Sequence, residues 1–137
     1  MGNVHAEITL RNITDCGKVR EGLIGEEAIR SVTVKALVDT GAMTLCINEE
    51  TRQKLGVEVV KTLPVRVANG ERVISHVTDP VEIVWKDRSS ACRAVVIPGA
   101  ELTLLGVIPL EEMDLTVNPV ERELVGIHGD EWVTYVV

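Results

Sequence analysis

The sequence predicts an all-β fold, and three observations support this prediction. First, the 137 residues include 33 valines and isoleucines, whose branched side chains fit a pleated sheet better than a helix. Second, several segments alternate apolar and polar residues, which is the period of a strand with one face in the core. Third, Gly, Asn, Asp and Pro recur between these segments and mark turns. The core must be aliphatic, because only 2% of the residues are aromatic.

A chain of this length has room for one domain with a hydrophobic core, so we expect residues 1–137 to form a single domain. Its 14 basic and 21 acidic residues give a net charge of −7, which argues against nucleic acid as a partner. The three cysteines are widely spaced, and no segment resembles an export signal or a membrane span. We therefore expect a cytoplasmic protein that does not contact a membrane.

The first part of the chain predicts two strands. Residues 7–13 form the first of them, and residues 18–27 predict a turn or a bulged connection. Residues 29–38 alternate between apolar and polar side chains and lead directly into Asp39. The alternation therefore predicts a second strand that is half-buried and ends at a carboxylate.

Two short helical segments interrupt the strands. Residues 49–55 predict a helix, because Asn48 can cap its start and Gly56 can end it. Residues 109–113 predict a single helical turn that opens with a proline. Both segments are too short to form a helical layer, so the predicted architecture remains a β domain.

A hairpin is predicted where residues 63–68 and 72–77 flank Asn69 and Gly70. Asn-Gly is the dipeptide that best tolerates the two positive φ angles of a type I′ turn, so we expect that turn here. The remaining predicted strands are residues 81–85, 92–97, 102–105, 114–117, 123–125 and 132–137.

The candidate catalytic group is Asp39, which follows a predicted buried strand and precedes Thr40 and Gly41. A carboxylate that leaves an apolar setting on a tight turn is typical of acid/base catalysis. Two further features follow it along the chain, the Ala-Asn-Gly hairpin and a later Leu-Leu-Gly triplet. In this order and at these separations, three segments of the chain resemble the retropepsin-like aspartic proteases: Ala36-Leu37-Val38-Asp39-Thr40-Gly41-Ala42, Ala68-Asn69-Gly70 and Leu104-Leu105-Gly106.

The resemblance implies a retropepsin-like acid protease fold, a closed and barrel-like β domain with one or two short helices and a core over about residues 30–118. It implies that Asp39, Thr40 and Gly41 form the catalytic loop, with the Thr40 hydroxyl helping to lock two such loops together. Ala42 and the hairpin residues Asn69 and Gly70 would contact a peptide or protein substrate, the hairpin acting as a flap. No metal or cofactor is implied.

Only one Asp-Thr-Gly triplet is present, so the resemblance implies a homodimer in which each chain contributes one Asp39. Two carboxylates held about 3 Å apart cannot both ionise, and they share one proton, as aspartic proteases in general do. The ionised partner can take a proton from water, while the protonated partner polarises the scissile carbonyl. Gly41 is then expected where two loops meeting at a two-fold axis leave no room for a Cβ atom.

The chain departs from retroviral members after Gly106, where Val107 stands in place of the arginine that braces their interface. It also has a longer N-terminal segment and a longer tail, and residues 132–137 are the candidate interface strand. Two alternatives to an aspartic endopeptidase remain. One is a non-catalytic dimeric domain of this fold that binds peptides or other proteins. The other is a hydrolase that uses Cys46 or Cys92 as its nucleophile.

Overall fold

The computed structural model describes residues 3–134, which form a mostly β structure. Nine strands are described, β1 (His5–Asn12), β2 (Ser31–Val38), β3 (Leu45–Ile47), β4 (Val59–Arg66), β5 (Arg72–Trp85), β6 (Arg88–Val96), β7 (Leu104–Leu105), β8 (Leu115–Asn118) and β9 (Glu123–Gly126). The helices described are α1 (Ile13–Arg20), α2 (Glu49–Leu55) and α3 (Val107–Glu112), with one 3₁₀ turn at Glu26–Ala28. The predicted all-β class is therefore confirmed. Among residues 3–134, no helix is both long enough and apolar enough to cross a membrane.

Seven strands form one sheet in the order β1-β2-β7-β3-β6-β5-β4. Strand β1 pairs with both β2 and β5, so the sheet closes on itself and β4 lies outside the ring, paired only with β5. Strands β8 and β9 form a separate two-stranded sheet. The predicted closed, barrel-like arrangement is thus present within one chain.

The core is aliphatic, and it follows from the alternation along the strands. Ile8 and Leu10 on β1 are buried, and Val81 and Ile83 on β5 lie directly beside that strand. On β2, Ala36 is buried. The valines at alternate positions of this strand, Val32, Val34 and Val38, are partly buried and pack against the margin of the core. One face of β1, β2 and β5 thus contributes to the aliphatic core that the composition required.

Helix α1 corrects the sequence prediction, which placed a turn or bulged connection over residues 18–27. The Asn12 side chain accepts a hydrogen bond from the Asp15 N–H, 3.0 Å away, and so caps the helix. Lys18 and Arg20 then lie in the last turn, where positive charge favours a helix. The sequence did not predict this helix because Gly17 and the β-branched residues of the first turn lower the helix propensity.

Strand β5 also differs from its prediction, which divided it into residues 72–77 and 81–85. It continues through Asp79 and Pro80, because its register against β6 shifts between Val77 and Pro80. Such a bulge absorbs a proline without ending the strand. Helix α2, by contrast, has the predicted bounds, with Asn48 accepting a hydrogen bond from the Thr51 N–H and Gly56 in the left-handed conformation.

The predicted strand over residues 132–137 is wrong for its first part, and residues 135–137 lie outside the described residues. Residues 132–134 belong to no strand. Trp132 Nε1 donates to the carbonyl of Glu112, and the Val133 N–H donates to the buried carboxylate of Asp114. Hydrogen bonds that involve side chains, rather than a ladder of strands, therefore hold residues 132 and 133.

The neighbouring part of the chain is held by the buried guanidinium of Arg88, which donates to the carbonyls of Met113, Asp114 and Gly129.

Candidate active site

The loop that follows β2 carries Asp39, and it is positioned by the short strand β7. Strand β7 lies between β2 and β3, parallel to β2 and antiparallel to β3. The register places Leu105 beside Val38 on one side and beside Leu45 on the other. The Leu-Leu-Gly segment thus lies next to the candidate catalytic loop.

Asp39 is half-buried and is held by both its backbone and its side chain. Its N–H donates to the carbonyl of Leu105 (3.0 Å), and its own carbonyl accepts a hydrogen bond from the Ala42 N–H (3.0 Å). The side-chain Oδ1 accepts a hydrogen bond from the Gly41 N–H at 2.8 Å. Within residues 3–134 no group donates to Oδ2, so the second carboxylate oxygen is available to water, substrate or another carboxyl group.

Two glycines allow this loop to pack closely. A Cβ atom on Gly41 would lie 3.1 Å from Asp39 Oδ1, so a larger residue would crowd the carboxylate within a single chain. A Cβ atom on Gly106 would lie 2.4 Å from the carbonyl oxygen of Thr44 and 2.5 Å from that of Ala42. Backbone atoms cannot yield as the end of a flexible side chain can. Gly106 is therefore required by the approach of β7 and α3 to the loop.

The start of α3 binds the far side of the same loop. The N–H groups of Val107 and Ile108 donate to the carbonyls of Ala42 and Met43, each at 2.9 Å. The Thr44 hydroxyl donates to the carbonyl of Arg93 on β6, also at 2.9 Å. The retroviral arginine is absent at position 107, and here backbone hydrogen bonds secure the loop.

The remaining members of the predicted site lie on the surface of the chain. Thr40 is exposed at the tip of the loop, and Ala42 is half-buried behind it. Asn69 and Gly70 lie at the tip of the β4–β5 hairpin. Among the described residues, no hydrogen bond or ion pair joins this tip to the Asp39 loop.

The hairpin exists, but the predicted type I′ turn is wrong. The Gly70 N–H donates to the carbonyl of Val67, and the Val67 N–H donates to that of Glu71. Gly70 has φ of +86°, whereas Asn69 does not have a positive φ. This is a three-residue loop in which a type I turn is followed by a left-handed glycine. Asn69 instead accepts a hydrogen bond from the Glu71 N–H through Oδ1, at 2.9 Å.

The two cysteines near the loop are poor candidates for a nucleophile. Burial, with a further contribution from the charge of Asp39, raises the pKa of Cys46 to about 11. Burial also raises the pKa of Cys92. Both groups are therefore protonated at neutral pH, whereas the thiolate is the reactive form. This observation disfavours the cysteine-hydrolase alternative.

Sequence reasoning missed two exposed apolar residues beside the loop. Met43 has 73% of its surface exposed and Ile108 has 44%, and the Ile108 N–H donates to the Met43 carbonyl. Large apolar residues on a surface are informative when they are adjacent and border a candidate site. In the sequence, only their positions shortly after the Asp-Thr-Gly-Ala and Leu-Leu-Gly segments indicated that they lie beside the loop.

Comparison with known proteins agrees with this fold. The sequence model of the family described as gag-polyprotein putative aspartyl protease matches residues 26–112. A retropepsin-like aspartic protease from Rickettsia conorii has a similar structure, with a TM-score of 0.54 and 18% identity over 85% of this chain and 77% of the other. The EIAV protease bound to the inhibitor HBY-793 gives a TM-score of 0.50 and 20% identity over 77% of this chain and 82% of the other. A search of curated protein sequences gives no significant match.

Proposed function

Because this chain belongs to the family of gag-polyprotein aspartyl proteases, we propose that it is an aspartic endopeptidase. Residues 1–137 would form one retropepsin-like domain, with its core at about residues 30–118. Two copies would each contribute one Asp39 to a shared site that hydrolyses peptide bonds. The proposal requires no metal or cofactor.

One observation carries this proposal, namely the way in which Asp39 is presented. The chain fixes the backbone of Asp39 on β7 and one carboxylate oxygen on the Gly41 N–H, while Oδ2 has no hydrogen-bond donor among residues 3–134. A carboxylate held in this way can share a proton with a second carboxyl group and orient a water molecule. The ionised member would take the proton of the water as it attacks the carbonyl carbon. The protonated member would donate to the carbonyl oxygen, and no covalent intermediate forms.

A second copy is needed because the chain carries one Asp-Thr-Gly triplet. Met43 and Ile108 support contact beside the loop, since their exposed side chains border the segment that carries Asp39. In that arrangement Thr40, at the exposed tip, would help to lock the two loops together. A peptide would lie between the Asp39 pair and the β4–β5 hairpins, near Ala42, Asn69 and Gly70, and would add a strand through backbone hydrogen bonds.

The cellular location is a further part of the proposal. Cys16, Cys46 and Cys92 are all free thiols. Free thiols in a chain without disulfides are typical of a reducing compartment. We therefore propose that the protease acts in the cytoplasm.

The decisive test of the catalytic proposal is the Asp39→Asn variant. An amide can neither share the proton nor take one from water, so cleavage of a denatured protein substrate should fall by at least about 1000-fold. Thermal unfolding should change little, because Asn can still accept the hydrogen bond from Gly41. Asp87→Asn, in an exposed turn, is the matched control and should keep full activity. Cleavage by Asp39→Asn at the wild-type rate would refute the proposal, and a dimer with no activity in the wild type would favour the peptide-binding alternative.

A second test concerns the pair of copies. Met43→Glu and Ile108→Glu each place a charge on the apolar surface beside the loop, so each should raise the dimer dissociation constant by at least about tenfold. Sedimentation velocity and the loss of activity on dilution would measure this change. Leu23→Glu, at a site with 67% exposure between α1 and β2, is the matched control and should leave the dimer intact. Equal dissociation constants in all three variants would exclude contact at this surface.

A further inference from the structure

The outward face of the β4–β5 hairpin carries three cross-strand pairs in a row. They are Thr62–His76, Pro64–Ile74 and Arg66–Arg72, and all six residues are exposed. The opposite face of the hairpin continues into the core, because Ser75 and Val77 on that face are buried. A peptide held beneath the hairpin would therefore touch the opposite face, and the outward face remains for another contact.

The Arg66–Arg72 pair is unfavourable for the hairpin itself. Residues directly opposite each other on antiparallel strands have Cβ atoms about 5 Å apart, and like charges there are destabilising. Neither arginine has a salt bridge among residues 3–134. Among residues 3–134, the Arg66 guanidinium donates only to the carbonyl of Gly70, at 3.1 Å, which keeps it over the turn. An acidic group that bound both arginines would remove this repulsion.

The charge of the hairpin also contrasts with that of the whole chain. Residues 59–74 contain three basic residues and one acidic residue, whereas the chain carries −7. The overall charge repels long polyanions such as nucleic acid, while the local field attracts a short acidic segment. Ile74, in the neighbouring pair, exposes 61% of its surface. The face therefore combines two guanidinium groups with an apolar side chain.

We propose that this face, which we define as Thr62, Pro64, Arg66, Arg72, Ile74 and His76, is a docking surface for an acidic segment of a protein substrate. The segment would lie outside the part of the substrate that is cleaved, so this inference rests on the proposed protease function. A carboxylate would bind the Arg66 and Arg72 guanidinium groups through charge-assisted hydrogen bonds. A neighbouring apolar side chain of the segment would pack on Ile74.

The first experiment measures binding separately from cleavage. The Asp39→Asn protein is titrated into a fluorescently labelled short peptide of glutamate and leucine, and fluorescence anisotropy is recorded. The glutamine counterpart of the peptide and an oligothymidylate of equal charge serve as comparison ligands. The glutamate peptide should bind most tightly, and its affinity should fall as salt is added. Equal binding of the glutamine peptide, tighter binding of the oligothymidylate or no binding of the glutamate peptide would overturn the proposal.

The second experiment uses charge reversal. Arg66→Glu/Arg72→Glu should weaken binding of the glutamate peptide by about tenfold or more, since each reversal replaces an attraction with a repulsion. Arg20→Glu/Arg122→Glu is the matched control, because it changes the net charge equally at two other exposed arginines that form no salt bridge within residues 3–134. The control should bind as the parent does. An equal loss in both double variants would mean that net charge alone is responsible, and would refute a docking surface.

The single variant Arg72→Glu separates docking from stability. It converts the Arg–Arg pair into an Arg–Glu pair, so the thermal unfolding temperature should stay the same or rise while peptide binding weakens. A parallel loss of stability and binding would show that the hairpin had been damaged, and would count against the proposal. Failure of Asp39→Asn to abolish cleavage would refute the catalytic proposal alone, because these measurements do not depend on turnover.

Discussion

The Asp39 loop and the tip of the β4–β5 hairpin are both short turns between strands, but they are held in opposite ways. Hydrogen bonds from the Asp39 N–H to β7, from the start of α3 to the loop carbonyls and from Thr44 to β6 surround the loop. Among the described residues, the hairpin tip forms hydrogen bonds only within residues 66–71, and all of these residues except the half-buried Val67 are exposed.

The difference follows from what each region has to do in the proposed mechanism. A general base must be held at a fixed position, and hydrogen bonds between the loop and three separate elements, β7, α3 and β6, provide this. A segment that admits and covers a substrate must be able to move, and a ladder with few contacts to the core can do so at low cost.

Gly106→Ala should disrupt the loop more than any other small change. The added Cβ atom would lie 2.4 Å and 2.5 Å from two backbone oxygens, and neither can move without displacing the loop. We expect a loss of about 3 kcal/mol in the free energy of unfolding, measured with urea, and a loss of peptide cleavage. Gly17→Ala is the control, since its Cβ atom would meet Arg20 at 3.6 Å, an ordinary contact. Similar stability for both variants would show that the loop is not tightly packed.

Gly70→Val should affect function more than folding. Its Cβ atom would meet nothing within 4 Å, so the cost arises from the backbone, where φ of +86° is unfavourable for a β-branched residue. We expect a loss of about 1 to 2 kcal/mol in stability, together with slower cleavage and a raised KM. Gly70→Asn tolerates the same φ and should retain most activity. Wild-type kinetics in Gly70→Val would mean that the hairpin is not a flap.

Acid should weaken an ion pair at the start of β2, at the end of this strand opposite Asp39, before it affects the hairpin tip. Hydrogen bonds from Arg30, which immediately precedes β2, lower the pKa of Asp15 to about 2 from its usual 3.8. The stabilisation is therefore complete above about pH 4 and is lost as the pH falls through about 2. Because Arg30 is half-exposed, solvent screens the pair, and we expect about 1 kcal/mol.

Urea unfolding at about pH 5 and about pH 3, for the wild type and Asp15→Asn, measures this contribution. The variant should lose part of the pH dependence, because it has no carboxylate to protonate. Hydrogen exchange at about pH 3 should increase at the start of β2, next to Arg30, more than at the hairpin tip of β4. The same pH dependence in both proteins, or faster exchange in β4 alone, would contradict this account.

Much of the fold was predictable because its signals are local. The alternation of residues 29–38 fixed both the strand and its buried face, and Asn48 and Gly56 bounded α2 to the residue. Helix α1 was missed because its cap, Asn12, belongs to a strand and its propensity is weak. The turn at Asn69 and Gly70 was assigned to the wrong type, since several hairpin loops accept the same two residues.

The sequence by itself determined the aliphatic β core, the Asp39-Thr40-Gly41 turn and the presence of a hairpin at Gly70, because neighbouring residues specify periodicity, caps and turns. Only the tertiary structure decided that β7 lies between β2 and β3, and that Gly106 lies against the carbonyls of Ala42 and Thr44. It also decided which apolar residues remain exposed beside the loop. These features depend on contacts between segments far apart in the chain, and local patterns carry no information about which segments meet.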